Sequence, residues 1–335
     1  MKKYNKTIKV LFIVLPIAAA FISLCMGRYF ITPSDTFKIL VSKIISVSKT
    51  WPEMDNSIIL NMRLPRIIIT VIAGAGLAAA GAAMQGIFSN PLASPDILGV
   101  SSGASFGAAI TLLVTSNMVF VQLIAMLFGI IAFLLVYLIS SVKKSNEMLM
   151  VVLSGIIVSS FFEALVSLVK YVADPETKLP AITFWLMGSF DNIGYRGIIM
   201  SIPGIIAGII IIAALRWRIN SLSLSDDEAD TLGIKPRYIR IILIVASTMI
   251  TSSIVAACGK VAWVGLVIPH IARMIVGNDN KRVVPACISI GACYLLVIDD
   301  LARCVTASEI PISILTALVG VPVFALLLRK TGGVF

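Results

Sequence analysis

Charge is scarce in this sequence. Asp, Glu, Lys and Arg together make up 13% of its 335 residues, and histidine occurs once. With 59% apolar residues and a mean hydropathy of +1.02, the composition lies far outside that of a water-soluble globule and excludes a soluble enzyme. A single histidine, His270, excludes a multi-histidine metal centre. The five cysteines show no C-x-x-C spacing, which excludes a thiolate metal site or disulfide framework and leaves them as small apolar residues. No G-x-x-x-x-G-K-[ST] segment occurs, so any nucleotide hydrolysis linked to this chain belongs to another subunit. No low-complexity linker or fixed-period repeat divides the chain, and one domain over residues 1–335 is expected.

What is present is a series of long apolar runs. A hydrocarbon core about 30 Å thick asks for about 20 residues of helix, because lipid offers no partner for backbone N–H and C=O groups. Ten runs meet this reading: 10–31, 64–86, 96–115, 118–140, 148–169, 195–215, 239–258, 261–277, 283–302 and 310–328. An all-α polytopic membrane protein follows. The third, eighth and ninth runs are interrupted by Gly99, Gly103, Gly107, His270, Arg273, Asp299 and Asp300, whose charges belong near helix ends or against protein.

An even number of spans puts both termini on one side. With the N-terminus inside, 15 Lys/Arg fall on the cytoplasmic side and 11 on the other, and the cytoplasmic ones cluster at helix ends. Both termini are therefore expected in the cytoplasm. The net charge of +10 reflects basic residues flanking spans, where they meet anionic lipid head groups, and no compact basic module for nucleic acid exists. Lys2–Lys9 followed by an apolar run resembles a signal peptide, but with nine further spans an uncleaved first helix is expected.

Three connections are long: 29–62 and 171–194 outside, and 216–238 inside. In the last, Ser225 caps a short helix with Asp226, Asp227 and Glu228 in its first turn, and Gly233 and Pro236 stop it. This reads as a short cytoplasmic helix between the sixth and seventh spans, either an ordinary connector or a docking element. The run Asp227-Glu228-Ala229-Asp230 spells a helicase motif, which the missing P-loop disqualifies. Gly74-Ala-Gly76-Leu-Ala-Ala79 fits a dinucleotide fingerprint, but apolar sequence on both sides makes it a close-packing helix face. Gly99, Gly103 and Gly107 form a second such face.

The stretch RLPRIIITVIAGAGLAAAGAAMQGIFSNPLASPDILGVSSGASFGA, residues 63–108, carries a specific resemblance. With WLMGS at 185–189, LSLSDDEADTLG at 222–233, GKVAWVGLVIPHIAR at 259–273, DDLAR at 299–303 and EIPISILTALVGVPVFALLLRK at 309–330, it resembles the FecCD-like permeases of ABC importers for iron-siderophores, haem and vitamin B12. The resemblance implies a ten-helix subunit of a prokaryotic cytoplasmic membrane that pairs with an identical or related second permease. Its partners would be a cytoplasmic ABC ATPase dimer and an extracytoplasmic substrate-binding protein, with no cofactor of its own. It places ATPase coupling at Ser225, Asp227, Glu228, Ala229, Leu232 and Gly233. It places binding-protein docking at Arg63, Arg66 and Arg303, and an inner gate at Asn90 and Leu92, with Ser145 and Asn146 as a second constriction. The cargo it suggests is an iron-siderophore, with haem or cobalamin as alternatives.

An ion-coupled secondary transporter is the competing class. It needs carboxylates near the bilayer midplane, for which Asp299 and Asp300 are the only candidates on this reading. A membrane-embedded enzyme is the third class, and no His, Cys and carboxylate set supports it.

Overall fold

The computed structural model describes residues 6–45, 48–141, 147–191, 193–223, 235–306 and 308–331. Among them every regular element is helical. In chain order these are α1 (Lys6–Cys25), α2 (Pro33–Val41), α3 (Glu53–Ser57), α4 (Leu64–Ile87), α5 (Val100–Val114), α6 (Met118–Ser140), α7 (Glu147–Val172), α8 (Lys178–Leu186), α9 (Tyr195–Leu215), α10 (Pro236–Cys258), α11 (Val264–Val276), α12 (Asn280–Cys304) and α13 (Ile312–Thr331). Among the described residues six segments are long and apolar enough to cross a membrane, and four shorter apolar helices follow the first, third, eighth and tenth predicted spans.

The helix starts have local causes. Thr32 and Asn117 accept hydrogen bonds from the backbone N–H groups of Asp35 and Val119, and Asp279 accepts from Lys281 N–H at the start of α12. Proline stands in the first turn of α2 and α10, where its missing N–H leaves no bond unmade. Prolines also lie inside α1, α9, α11, α12 and α13, which packed membrane helices tolerate.

The predicted 29–62 connection is more ordered than a loop. α3, a six-residue π-helical stretch (Ile58–Arg63) and α4 run on as one helix from Glu53 to Ile87. At 1.5 Å per residue its 35 residues reach about 52 Å, so its first turns project beyond a 30 Å core. Together with α2 they form a cap in which Trp51, Ile31, Ile39 and Ile59 pack on Leu24, Ile67 and Leu296. The 171–194 connection likewise holds α8.

α4 is the centre of the bundle. Of its apolar window 83% is buried, against 22% for that of α7 and 28% for that of α9, which form the periphery. Small residues make this possible. A Cβ on Gly74 would come within 2.2 Å of the Gly291 carbonyl oxygen in α12, and one on Gly81 within 1.9 Å of the Gly265 carbonyl oxygen in α11. The 74–79 run is thus a close-packing face, as its apolar flanks require. Gly103 and Gly107 pack in the same way on the α6 backbone at Phe128 and Ile124. Gly99 does a different job: at φ 68° it provides the left-handed junction between a 3-10 turn (Pro95–Leu98) and α5. The third helix accordingly starts at Val100 rather than 96.

Candidate functional site

At one end of the bundle three arginines converge, Arg63 from the end of the π-helical stretch, Arg66 from the start of α4 and Arg303 from the end of α12. Arg66, in the first turn of α4, aims its Nε at both carboxylate oxygens of Asp299 in α12, each 3.0 Å away. Its Nη2 adds a 2.8 Å bond to Asp299, and the two Nη groups form a fork on Glu309 at 2.7 and 2.9 Å. Asp191, in the α8–α9 connection, lies 3.5 Å from Nη1. Asp299 is fully buried, so a bidentate guanidinium is what allows its charge to stay there. Arg303, one turn on from Asp299, donates to the Ser23 carbonyl (2.7 Å) and hydroxyl (2.6 Å) and to Asp300, and Ser23 in turn donates to Asp300 at 2.6 Å. Arg63 donates to the carbonyls of Leu24 (2.7 Å), Cys25 (3.3 Å) and Tyr29. All three arginines are buried, and their guanidinium groups tie α1, α4 and α12 together within the chain.

At the opposite end, the turn after α4 is stiff. Asn90 accepts a hydrogen bond from Leu92 N–H through its side chain (2.9 Å) and from Ala93 N–H through its carbonyl (3.1 Å). Ser89 holds the left-handed conformation at φ 46°, and the Leu92 side chain is left 52% exposed. Nearby, a 3-10 stretch (Arg218–Ser223) leads toward residues 225–233. Ser225, Asp227, Glu228, Ala229, Leu232 and Gly233 lie outside the described residues, as do Ser145 and Asn146. The anchor of that segment is visible. Ile219 packs where a Cβ on Gly86 would stand, 2.2 Å away, and Asn220 donates to Asp279 (2.8 Å) while accepting from Asn280 N–H (2.9 Å). Although partial burial pushes the other way, the Asn220 and Lys281 hydrogen bonds hold the Asp279 carboxyl below its usual range.

A third feature corrects the sequence reading that Asp299 and Asp300 are the only membrane carboxylates available for ion coupling. Glu163 sits in the middle of α7, within the apolar run IIVSSFFEALVSLV, with its side chain 62% exposed. It faces a polar cleft between α5 and α7, in two lobes of about 250 and 170 Å³ that share Ser102, Glu163 and Lys260. Lys260 Nζ is 3.9 Å from Glu163, and the Ser102 hydroxyl donates to Glu163 at 3.2 Å. Asp96, hydrogen-bonded by Ser101, lines the smaller lobe. A lone acid inside an apolar run was the available signal. Asp299 and Asp300, by contrast, are held in the arginine clusters.

His270 is buried edge-on to Phe324, 6.1 Å between ring centres, a packing position. Among the described residues no group of three or more His, Cys, Asp or Glu side chains converges as a metal site.

Comparison with known proteins adds a consistent set of likenesses. The model of the FecCD transport family matches residues 14–330. The molybdate import system permease protein MolB of Haemophilus influenzae is 39% identical over 94% of this chain and 93% of its own. The Fe(3+)-citrate import system permease protein YfmE of Bacillus subtilis is 34% identical over 94% and 92%. A solved metal-chelate type ABC transporter in an inward-facing conformation superposes with a TM-score of 0.87 at 39% identity, covering 97% of this chain and 100% of that one.

Proposed function

The chain belongs to the FecCD transport family, and from that premise we propose that it is the membrane-spanning permease subunit of a binding-protein-dependent importer carrying an iron-siderophore complex into a prokaryotic cell. The observation that supports this most is the family match across residues 14–330, nearly the whole chain. In this reading ten helices cross the cytoplasmic membrane with both termini inside, and two permeases enclose one path.

ATP is hydrolysed on a separate ATPase dimer, and the segment holding Ser225, Asp227, Glu228, Ala229, Leu232 and Gly233 docks on it. Force applied there reaches the bundle through residues 218–223, because Ile219 bears on α4 and Asn220 on the start of α12. The turn at Asn90 and Leu92 narrows the inner mouth, aided by Ser145 and Asn146. The external binding protein docks on the rim shaped by Arg63, Arg66 and Arg303. Since these guanidinium groups are already engaged within the chain, their part is to set the rim's shape and field.

A second cargo reading, an oxyanion, is favoured by the likeness to a molybdate permease. Haem and cobalamin use the same machinery in this proposal. The deciding experiment measures uptake of labelled ferric siderophore, haem, cobalamin and molybdate by cells with and without the gene. Loss of ferric-siderophore uptake alone supports the proposal, and loss of molybdate uptake alone replaces it. ATP-independent uptake by the purified chain in liposomes would remove the importer reading altogether.

A further inference from the structure

Glu163 poses a physical problem that the apolar bundle does not solve. By helix rise it lies about 24 Å from the Glu147 end of α7 and about 14 Å from the Val172 end, well inside a 30 Å hydrocarbon core. A carboxylate exposed to lipid at that depth is costly by about 2.5–3.5 kcal/mol even on the lenient scale. Its neighbours on the same face are polar as well: Ser159 lies one turn before it and Ser167 one turn after. The opposite face of α7, with Ile157, Phe161 and Leu168, is exposed and apolar, as a lipid-facing or helix-facing surface should be. α7 therefore carries one exposed arc that runs from a polar edge at Glu163 through Ser160 and Ala164 to an apolar edge at Phe161.

The backbone around the polar face is also irregular. The 3-10 turn bearing Asp96 packs against α7, where a Cβ on Gly155 would meet the Ile97 carbonyl oxygen at 1.8 Å. Lys260 comes from the non-helical link between α10 and α11, which passes Gly188 of the α8–α9 connection, where Ser189 N–H donates to the Cys258 carbonyl. Non-helical backbone at membrane depth is sustained where it is packed in protein or lines a water-filled cavity. Here it borders a polar cleft of about 250 Å³.

We propose that the α5–α7 cleft is a water-filled segment of the translocation path, and that Glu163 and Lys260, facing each other across it, form a charge filter. The inference rests on the chain being a permease and adds what the path selects for. With two acids, Glu163 and Asp96, balanced by two bases, Lys260 and Lys170, and hydroxyls of Ser102, Ser159 and Ser167 offering both donors and acceptors, the lining suits a hydrogen-bonding cargo of low net charge. It disfavours a bare multivalent ion of either sign. Contacts of this kind are weak and multiple, which lets cargo leave as well as enter.

The test uses the full chain assembled with its ATPase in membrane vesicles, in a Cys304→Ser background, probed with cationic and anionic methanethiosulfonate reagents. Ser159→Cys and Ser167→Cys are expected to react at least about tenfold faster than Ile157→Cys and Phe161→Cys. Adding Glu163→Gln leaves Lys260 and Lys170 opposed only by Asp96 and should shift the cation-to-anion rate ratio at Ser159→Cys down by about tenfold, while Lys260→Gln shifts it up. Glu163→Asp, which keeps the charge, should restore the parent ratio and guards against a folding artefact. Unreactive Ser159→Cys and Ser167→Cys in vesicles that still show ATP-driven uptake would overturn the inference and leave the importer reading intact. Reactive cysteines with an unchanged ratio would overturn the filter. ATP-independent uptake would count against the importer reading, while the labelling would still decide whether the cleft holds water.

Discussion

Arg66 and Asp299, 233 positions apart in the chain, meet between α4 and α12 with the arginine Nε 3.0 Å from both carboxylate oxygens. The carboxylate is fully buried, and the pair is completed by Glu309 and, at 4.0 Å, Arg303. Its weight follows from desolvation: either charge alone in that position would lack the partner that makes burial tolerable.

Removing one partner should therefore be worse than removing both. Arg66→Met is expected to destabilise the folded protein by about 3–5 kcal/mol. The double variant Arg66→Met with Asp299→Leu should recover a large part of that loss. Thermal unfolding in detergent, followed for both single variants and the double, checks this; equal losses in all three would show that the pair carries no special coupling.

The crossing of α4 with α11 sets a steric prediction. Gly81→Ala places a methyl group where the Gly265 carbonyl oxygen stands, 1.9 Å from the new carbon, and backbone cannot yield cheaply. A loss of at least about 3 kcal/mol, the upper range of overpacking, is expected. Gly194→Ala meets nothing within 4 Å and should change stability little. Folded yield by gel filtration of the two variants separates them.

The Asn220–Asp279 latch predicts a pH signature. Because the folded Asp279 carboxyl titrates below its usual range, its contribution to stability is present above the ordinary carboxylate value and is lost as pH falls through the lowered one. Asn220→Leu removes that hydrogen bond, so the acid side of the stability profile should become shallower. Unfolding midpoints between about pH 6 and 3 in parent and variant give the answer.

The turn at the inner mouth can be loosened without touching the bundle. Asn90→Ala deletes the side-chain bond to Leu92 N–H and should cost about 1 kcal/mol locally. In the proposed function the consequence is leak: ATP-independent efflux of preloaded cargo from proteoliposomes should rise in Asn90→Ala and in Leu92→Ala. Unchanged efflux in both would remove the gate assignment.

Much of the fold is legible in the sequence. The spans 118–140 and 195–215 coincide with α6 and α9, because uninterrupted apolar runs bounded by polar residues leave the backbone no alternative to a helix. Where glycine and charge interrupt the runs, agreement loosens: α5 begins at Val100 and α11 covers only Val264–Val276. The 29–62 connection reads as a loop in sequence, since its helical residues are too polar to register as a span, yet Glu53–Arg63 is ordered by continuity with α4. The site was less legible. Asn90 and Leu92 form a tight turn, whereas Glu163 is hidden inside an apolar run whose other residues satisfy the membrane.

Sequence alone determined that this is a helical membrane protein of the FecCD transport family, because lipid imposes its rule on every stretch of backbone independently and ordered motifs survive as local strings. Only the tertiary structure decided which way charged side chains turn. Arg63, Arg66 and Arg303 face inward to tie helices together, and Glu163 faces a shared cleft with Lys260, 97 positions away. The physical reason is that a charge inside a membrane is settled by its partner, and the partner comes from a distant helix.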